Sequence, residues 1–394
     1  MEFLCSLPPE ISLHILTFIR PCCLKYLFEL DTIFNDCHQD SKYDEIRKMA
    51  LYAMYYNQNV SICAPNYMSN AVLDLNQPVL KYLQHHRIII RPKQVSIFLL
   101  SPYLETSTRE ITRYMDCLQL FTDVFNVHIS TTYCISTADD CIISGFLQHF
   151  KKLNSFSIDQ ISHTPQQNAC QFLASVPASH LTLLYHNAEA TMVQLCAFNT
   201  STIRHLDVSF NGLTDCNLHR IRLPESLESL NLSNNNLFHL SSYTLNLQNL
   251  PNLKKLDLSN NNLMSISISH ASSHITHFNV SGNNLTSLEW IMAPAFAHLK
   301  SIDLAHNMIA TIAKFPSKVE YINLCGNFLH NTLADILNGL LPPSLVLLNA
   351  LHCRVDTSTI PDDIVGLAKL HNLKALYFSG FTFLVNASQT PCRS

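Results

Sequence analysis

Apolar residues recur at fixed intervals in the second half of the chain. Beginning at Ile203, they fill the first, fourth and sixth positions of a short segment, and an asparagine and a further apolar residue follow at the ninth and eleventh. Because alternate residues of a strand share one face, the fourth and sixth positions predict a short strand with one buried face. The pattern occurs six times between residues 203 and 329, with asparagines separated by 24, 26, 22, 24 and 20 residues. They are Asn211, Asn235, Asn261, Asn283, Asn307 and Asn327.

This pattern, L-x-x-L-x-L-x-x-N-x-L, resembles the leucine-rich repeat. One such coil cannot bury its own apolar face, so successive coils are expected to stack around a continuous core. The resemblance implies an α/β fold, a leucine-rich-repeat solenoid curved into a horseshoe with a parallel sheet on its concave face. It also implies that each asparagine amide pairs with backbone groups of neighbouring coils.

Less regular copies extend the array in both directions, to about twelve coils between Arg91 and Val385. Downstream, the frame on Leu345 puts Cys353 at the asparagine position, and a last coil begins at Leu373 and includes Phe381. Longer upstream periods predict convex helices at 107–121 and 138–150. The upstream frames are Val95/Phe98/Leu100, Val124/Val127/Ile129, Leu153/Phe156/Ile158 and Leu181/Leu183.

A different pattern precedes the array. Leu7-Pro8-Pro9-Glu10-Ile11 opens an apolar stripe at helical spacing that ends before Pro21, and further helices are predicted at 22–30 and 41–56. This N-terminus resembles the F-box, a small all-α module whose first helix binds the Skp-type adaptor of cullin-RING ubiquitin ligases. The resemblance implies adaptor contacts at Leu7, Pro8, Glu10, Ile11, Ile15, Leu16 and Ile19. The alternative is that these helices only cap the first coil, which would otherwise expose its core.

Four segments follow from these patterns. Residues 1–45 are the F-box-like motif, 46–90 a helical connector and solenoid cap, 91–385 the repeats and 386–394 a tail.

Composition narrows the range of functions. The 394 residues include only 7 glycines, and no G-x-G-x-x-G or G-x-x-x-x-G-K-[ST] loop is present to bind nucleotide phosphates. A formal net charge of −4 provides no basic field for nucleic acid. Neither G-x-S-x-G nor H-E-x-x-H occurs, so we expect no enzymatic activity, cofactor or metal site.

The 14 cysteines are scattered without a C-x-x-C pair, which favours reduced thiols and a cytoplasmic or nuclear location. No signal peptide and no run of 18 apolar residues is seen, so we expect no membrane association. N-x-[ST] triplets, for example at Asn284, keep a secreted protein as a third alternative.

Two columns of residues are expected to face solvent from the predicted sheet. One, which runs from Asp207 to Tyr377, is polar and mildly acidic, and is either a recognition stripe for a basic or hydrogen-bonding segment of a client or solvated consensus sequence. The neighbouring column runs from His205 to Leu347 and mixes basic, polar and apolar side chains. It is therefore better suited to recognise one specific partner. The expected client-binding residues are His205, Asp207, Lys255, Asp257, His277, Asp303 and Tyr321.

The sequence thus predicts a non-enzymatic substrate receptor of a Skp-cullin-F-box ubiquitin ligase. Its partners would be a Skp-type adaptor, through it a cullin-RING ligase, and a client protein on the solenoid. The alternative is a leucine-rich-repeat scaffold or regulatory subunit with no link to ubiquitin.

Overall fold

The structure is a computed structural model of the 394-residue chain. The residues that it describes are 7–17, 19, 44–56, 58–63, 82–99, 121, 124–132, 141, 143–145, 147, 150, 152–160, 173, 176, 178–196, 202–241, 243–245, 247–268, 274–312, 314–331, 335–353, 369–378 and 381–384. The helices predicted at 22–30 and, apart from residue 121, at 107–121 lie outside this part of the chain. So does the tail. The chain divides into two compact units, Met1–Tyr185 and His186–Ser394.

The first unit begins with two helices, α1 (Pro9–Thr17) and α2 (Asp44–Tyr55), which pack against each other. Helix α1 starts at a proline, whose missing N–H would have no partner in the first turn of a helix. The backbone N–H groups of Ile11 and Ser12 both donate to the Pro8 carbonyl oxygen at 3.0 Å. Both helices were predicted, within one to three residues at each end.

Five parallel strands follow in chain order and pair in register. Their inward residues, such as Val127 and Ile129, are buried, whereas several outward neighbours are only half-buried. The strands are β1 (Asn59–Cys63), β2 (Gln94–Leu99), β3 (Asn126–Thr131), β4 (Ser155–Gln160) and β5 (His180–Leu184). Strand β1 belongs to the sheet although it lies in the segment expected to be a helical connector. The segment boundaries themselves remain predictions.

The register of the first upstream coil differs from its expected frame. Val95 and Ile97 pair with Val127 and Ile129 and are buried, so Val95 and Ile97 are the inward pair of β2. The expected frame made Val95 the first residue of the repeat, whereas in the structure it is the fourth. That frame also put Phe98 on the inward face, but Phe98 is only half-buried. No asparagine marks the turn in this coil, and a run of apolar residues therefore fits more than one frame.

The second unit has much shorter strands, which again stack in parallel and in register. Six of them have three residues each, and the middle residue is buried between two more exposed neighbours. The strands are β6 (His205–Asp207), β7 (Ser229–Asn231), β9 (Lys255–Asp257), β11 (His277–Asn279), β12 (Ser301–Asp303), β13 (Tyr321–Asn323), β14 (Leu347–Ala350) and β15 (Ala375–Phe378).

Short elements return the chain from one strand to the next. They are α3 (Ala188–Cys196), α4 (Asp215–Arg220), the 3-10 helices Leu247–Asn249, Glu289–Met292 and Pro294–Phe296, and a π-helical turn at Ile336–Leu340. A separate pair of parallel strands, β8 (His239–Ser241) and β10 (Ser265–Ser267), joins two of these returns. Periods of 20 to 26 residues leave room for little more, as expected.

The sheet of the second unit ends in a hairpin rather than in another coil. Strand β16 (Phe381–Leu384) pairs antiparallel with β15, and Phe383 lies opposite Leu376. The expectation that Phe381 occupies an asparagine-like turn position was therefore wrong. This return strand pairs with the open side of β15 and itself becomes the edge strand of the sheet.

Candidate functional site

The buried asparagines connect successive coils of the second unit. Asn235 Oδ1 accepts hydrogen bonds from the backbone N–H groups of Asn211 and Leu213, at 3.1 and 2.9 Å. Its Nδ2 donates to the carbonyl oxygens of Val208 and Leu232, at 3.1 and 2.9 Å. One amide thus satisfies backbone groups of its own coil and of the coil before it. Asn261, Asn283, Asn307 and Asn327 are also buried and make the same kinds of bond.

Cys353 takes the asparagine position in the next coil, as predicted. It is buried, and its thiol donates to the carbonyl oxygen of Leu324 at 2.9 Å. Burial raises the pKa of this thiol, so it stays protonated and continues to donate.

The residue before each asparagine has a left-handed backbone, which tightens the turn. Phe210, Asn260 and His306 have φ angles of 55, 52 and 54°. Glycine fills the position at Gly282 and Gly326, where a Cβ would meet the side chain of the preceding coil. At Gly282 and Gly326, glycine is therefore used where two stacked turns approach closely.

The aspartates of the acidic column accept hydrogen bonds from other groups of the protein. Asp207 Oδ1 accepts from the backbone N–H of Ser209 at 3.0 Å, and its Oδ2 accepts from Asn231 Nδ2 at 3.0 Å. The same pairing joins Asp257 to Asn279 at 3.0 Å and Asp303 to Asn323 at 3.1 Å. These side chains are half-buried on the sheet face opposite the core. Each carboxylate thus closes its own turn and binds the next coil, a role that neither alternative for this column included.

The neighbouring column is more open to solvent. Lys255, His277 and Tyr321 are exposed, whereas His205 is half-buried. His277 Nδ1 lies 2.9 Å from Thr276 Oγ1. Burial, with the positive charges of Lys255 and Lys300, holds the pKa of His277 below its usual value. The structure therefore aligns the predicted client-binding residues along one sheet face, and the lysine, histidine and tyrosine are its most accessible members.

Charged residues just before the strands were not predicted as part of this surface. Glu228 lies between Arg204 and Lys254, with N–O distances of 3.1 and 3.0 Å, and these two cations lower the pKa of its carboxyl group. Lys300 and Glu320 form a looser pair at 3.8 Å. The sequence could have predicted these charged residues as part of the surface, because each of them immediately precedes a strand of the repeat.

The residues expected to bind an adaptor divide into exposed and buried groups. Ile11 and Ile15 are four residues apart on one face of α1 and are 49% and 36% exposed. Leu16 has no exposed surface, so its role in this conformation is packing, not the expected contact. Pro8 is exposed and Leu7 and Ile19 are half-buried. The side chain of Glu10 is outside the described part of the chain.

Family models match two segments of the second unit. One described as "Leucine Rich Repeat" matches residues 252–273, and one described as "Leucine Rich repeat" matches residues 200–215. Both fall on coils of the asparagine-bearing array. These coils are leucine-rich repeats. Leucine-rich repeats are in general non-enzymatic protein-interaction scaffolds, and we use this name for residues 203–329 below.

Several solved structures are similar to most of the chain at low identity. A leucine-rich-repeat protein of Leptospira interrogans is 14% identical with a TM-score of 0.49, over 89% of this chain and 81% of that one. A chain of the Drosophila Toll–Spatzle complex is 17% identical with a TM-score of 0.44, over 82% and 43%. A chain of the mouse RP105/MD-1 complex is 13% identical with a TM-score of 0.45, over 84% and 68%. No curated protein matches the chain.

Within the part of the chain that the structure describes, no helix is both long enough and apolar enough to cross a membrane. No three His, Cys, Asp or Glu side chains of that part come together where they would hold a metal ion. Cys141, Cys216, Cys325 and Cys353 have free thiols.

Proposed function

We propose that the chain is a substrate receptor of a Skp-cullin-F-box ubiquitin ligase. Helix α1 binds the Skp-type adaptor, and the leucine-rich repeats bind a client protein. Holding both at once raises the effective concentration of client near the ubiquitin-transferring partner. A receptor of this kind acts in the cytoplasm or nucleus, and the free thiols are compatible with those compartments.

The observation that carries the adaptor half of the proposal is the exposed isoleucine pair on α1. A helix that packs one face on its own unit normally shows polar residues on the other face. Ser12 and Leu16 are buried, yet Ile11 and Ile15 remain open, so α1 has a second apolar stripe. This stripe follows the Leu7-Pro8-Pro9 opening that resembles the F-box.

A pull-down with purified Skp-type adaptor tests this half of the proposal. The full chain is compared with a triple variant, Leu7→Ala, Pro8→Ala and Ile11→Ala, and with the double variant Ile11→Asp and Ile15→Asp. Ile89→Asp is the matched control, because Ile89 is 50% exposed elsewhere in the same unit. We expect one-to-one retention of the adaptor by the parent and the control, and loss in both other variants. Absence of binding by the parent, or equal binding by all four proteins, would exclude the ligase function.

A second function, a scaffold or regulatory subunit without a link to ubiquitin, is favoured by one observation. Ser12 and Leu16 are fully buried, and α1 packs against α2, which is what a cap on the first coil requires. In that case Leu16→Ala would lower the thermal stability of the chain, and no adaptor would be retained by the parent protein.

A further inference from the structure

Basic side chains, four lysines and two histidines, collect where the strands of the leucine-rich repeats begin. Each of them is the first residue of a strand, the residue just before a strand, or the residue three positions before a strand. Because the strands stack in parallel and in register, these side chains lie next to one another. We call this surface, between β9 and β13, the basic edge. It consists of Lys254, Lys255, His277, His298, Lys300 and Lys318.

The basic edge has more positive charge than its own carboxylates neutralise. Glu228 is shared between Arg204 and Lys254, and Glu320 pairs only loosely with Lys300. Within the described part of the chain, Lys255 and Lys318 have no carboxylate partner. The chain as a whole has a formal net charge of −4, so this edge has the opposite sign to the molecule that bears it.

The lowered pKa values of two histidines reflect the positive charge of the nearby lysines. His298 lies against Lys318, with 3.2 Å between Nδ1 and Nζ, and that ammonium is the main cause of a lowered His298 pKa, ahead of burial and His274. At His277, burial is the main cause, Lys255 and Lys300 add to it, and Glu320 opposes it. Lysines thus hold His298 toward the neutral form, and partial burial together with lysines does the same at His277.

The opposite end of the same strands has the opposite character. Asp257 and Asp303 lie two residues further along β9 and β12, about 7 Å from the basic edge. Their carboxylates are fixed by hydrogen bonds to Asn279 and Asn323. The solvent-facing sheet surface therefore changes from cationic to anionic along the strand direction.

This polarity selects among anionic ligands. A nucleic acid places a charge on every nucleotide, so part of its backbone would face the aspartate column and be repelled by it. An extended peptide alternates its side chains, so acidic residues on one side can meet the lysines while polar ones face the aspartates. Adjacent strands are about 4.8 Å apart, so the four strands β9, β11, β12 and β13 span about 14 Å, enough for three acidic residues at alternate positions of an extended peptide.

We propose that the basic edge is the docking site for an acidic segment of the client protein, bound in extended form across β9 to β13. This inference rests on the proposed client-binding role of the repeats. The sequence suggested that the aspartate column recognises a basic or hydrogen-bonding segment, whereas the basic edge lies beside that column and has the opposite charge.

The test uses the full chain and a dye-labelled eight-residue peptide of alternating Glu and Ser, with binding measured by fluorescence anisotropy. Peptides with Gln or Lys in place of Glu, and an eight-nucleotide uridine oligomer, are measured in parallel. The Glu peptide is expected to bind at low salt and to weaken severalfold at 0.3 M salt, because the contacts are between exposed charges. The Gln and Lys peptides are expected to bind at least tenfold more weakly.

Charge reversal locates the site. The double variant Lys255→Glu and Lys300→Glu is expected to lose at least tenfold in affinity for the Glu peptide. Lys314→Glu, an exposed lysine away from the strands, makes the same kind of change and is expected to alter affinity less than twofold. Thermal melting of each variant confirms that it is folded.

Three results would overturn the inference. They are no binding of the Glu peptide by the parent, equal binding by the parent and the double variant, or tighter binding of the uridine oligomer with loss in the same variant. The adaptor pull-down is unaffected by these outcomes, so failure of the docking site is distinguishable from failure of the ligase function.

Discussion

The two units build the same kind of parallel sheet by different means. Strands in Met1–Tyr185 have five or six residues, whereas most strands of the leucine-rich repeats have three. In the repeats, each strand of the main sheet is followed within four residues by a buried asparagine whose amide bonds two coils together. Among the described residues of the first unit no such asparagine is buried.

The difference shows what the asparagine does for the fold. A buried amide satisfies the backbone groups of a sharp turn, so the chain can leave the sheet after three residues. Without it, the strands of the first unit continue and bury polar side chains near their ends, for example Thr131 and Gln160. The repeats thus gain a regular outer face whose columns are set by the register of the turns.

The largest expected effect comes from removing one turn asparagine. Asn235→Ala leaves at least two buried N–H groups without an acceptor and is expected to lower the free energy of unfolding by about 1–3 kcal/mol. Asn236→Ala is the matched control, because Asn236 is exposed in the same turn and is expected to have little effect. Equal effects in urea denaturation would contradict the role given to Asn235.

A smaller effect is expected at the left-handed turn position. Gly326 has a φ angle of 73°, and a Cβ there would lie 2.6 Å from Nδ1 of His306. Gly326→Ala is expected to lower the free energy of unfolding by about 1–2 kcal/mol. Gly145, which is helical and has no atom within 4 Å of an added Cβ, serves as the control in the first unit. Gly145→Ala is expected to be neutral or stabilising, and destabilisation by both changes would refute the argument from turn geometry.

The first unit has its own pH dependence through His128. Burial lowers the pKa of this histidine, and Asp159 opposes the shift. Its Nδ1 lies 2.7 Å from Ser157 Oγ. Because the unfolded chain binds a proton near pH 6.5 and the folded chain binds it at a lower pH, stability is lost as the pH falls below about 6.5. His128→Gln is expected to flatten this part of the stability curve measured by urea denaturation between pH 7.5 and 5.5, and an unchanged slope would contradict it.

The smallest effect is expected from the exposed charges of the repeats. Glu228 bonds to Arg204 and Lys254, but all three side chains are open to solvent. Exposed ion pairs of this kind contribute little to stability, because water and salt screen their charges. Glu228→Gln is therefore expected to shift the melting temperature by far less than Asn235→Ala, and a comparable shift would show that charge pairing, not the asparagines, joins the coils.

The same contrast explains how much of the fold was predictable. The six asparagine-bearing coils were located correctly because each asparagine fixes the frame of its apolar neighbours. The coil containing Val95 was placed in the wrong register because Val95, Ile97 and Phe98 fit two frames when no turn residue is marked. The C-terminal hairpin was missed because the apolar alternation of Phe381 and Phe383 suits a return strand as well as another coil.

Less of the candidate site was predictable. The solvent-facing columns were correct, since they follow from strand register alone. The hydrogen bond between Asp257 and Asn279 was not predicted, because it joins residues 22 positions apart whose side chains meet only when coils stack. The basic edge depends on the same stacking, because it combines lysines from strands that begin 20 to 24 residues apart and look isolated in the sequence.

The central claim is that one chain has two separate protein-binding surfaces, α1 in the first unit and the basic edge in the second. Calorimetric titration of Skp-type adaptor into three proteins tests it most directly: the parent, the Ile11→Asp and Ile15→Asp variant, and the Lys255→Glu and Lys300→Glu variant. The account predicts one-to-one binding to the parent, the same affinity within twofold for the lysine variant, and at least tenfold loss for the isoleucine variant. No heat of binding with the parent, or an equal loss in both variants, would contradict it.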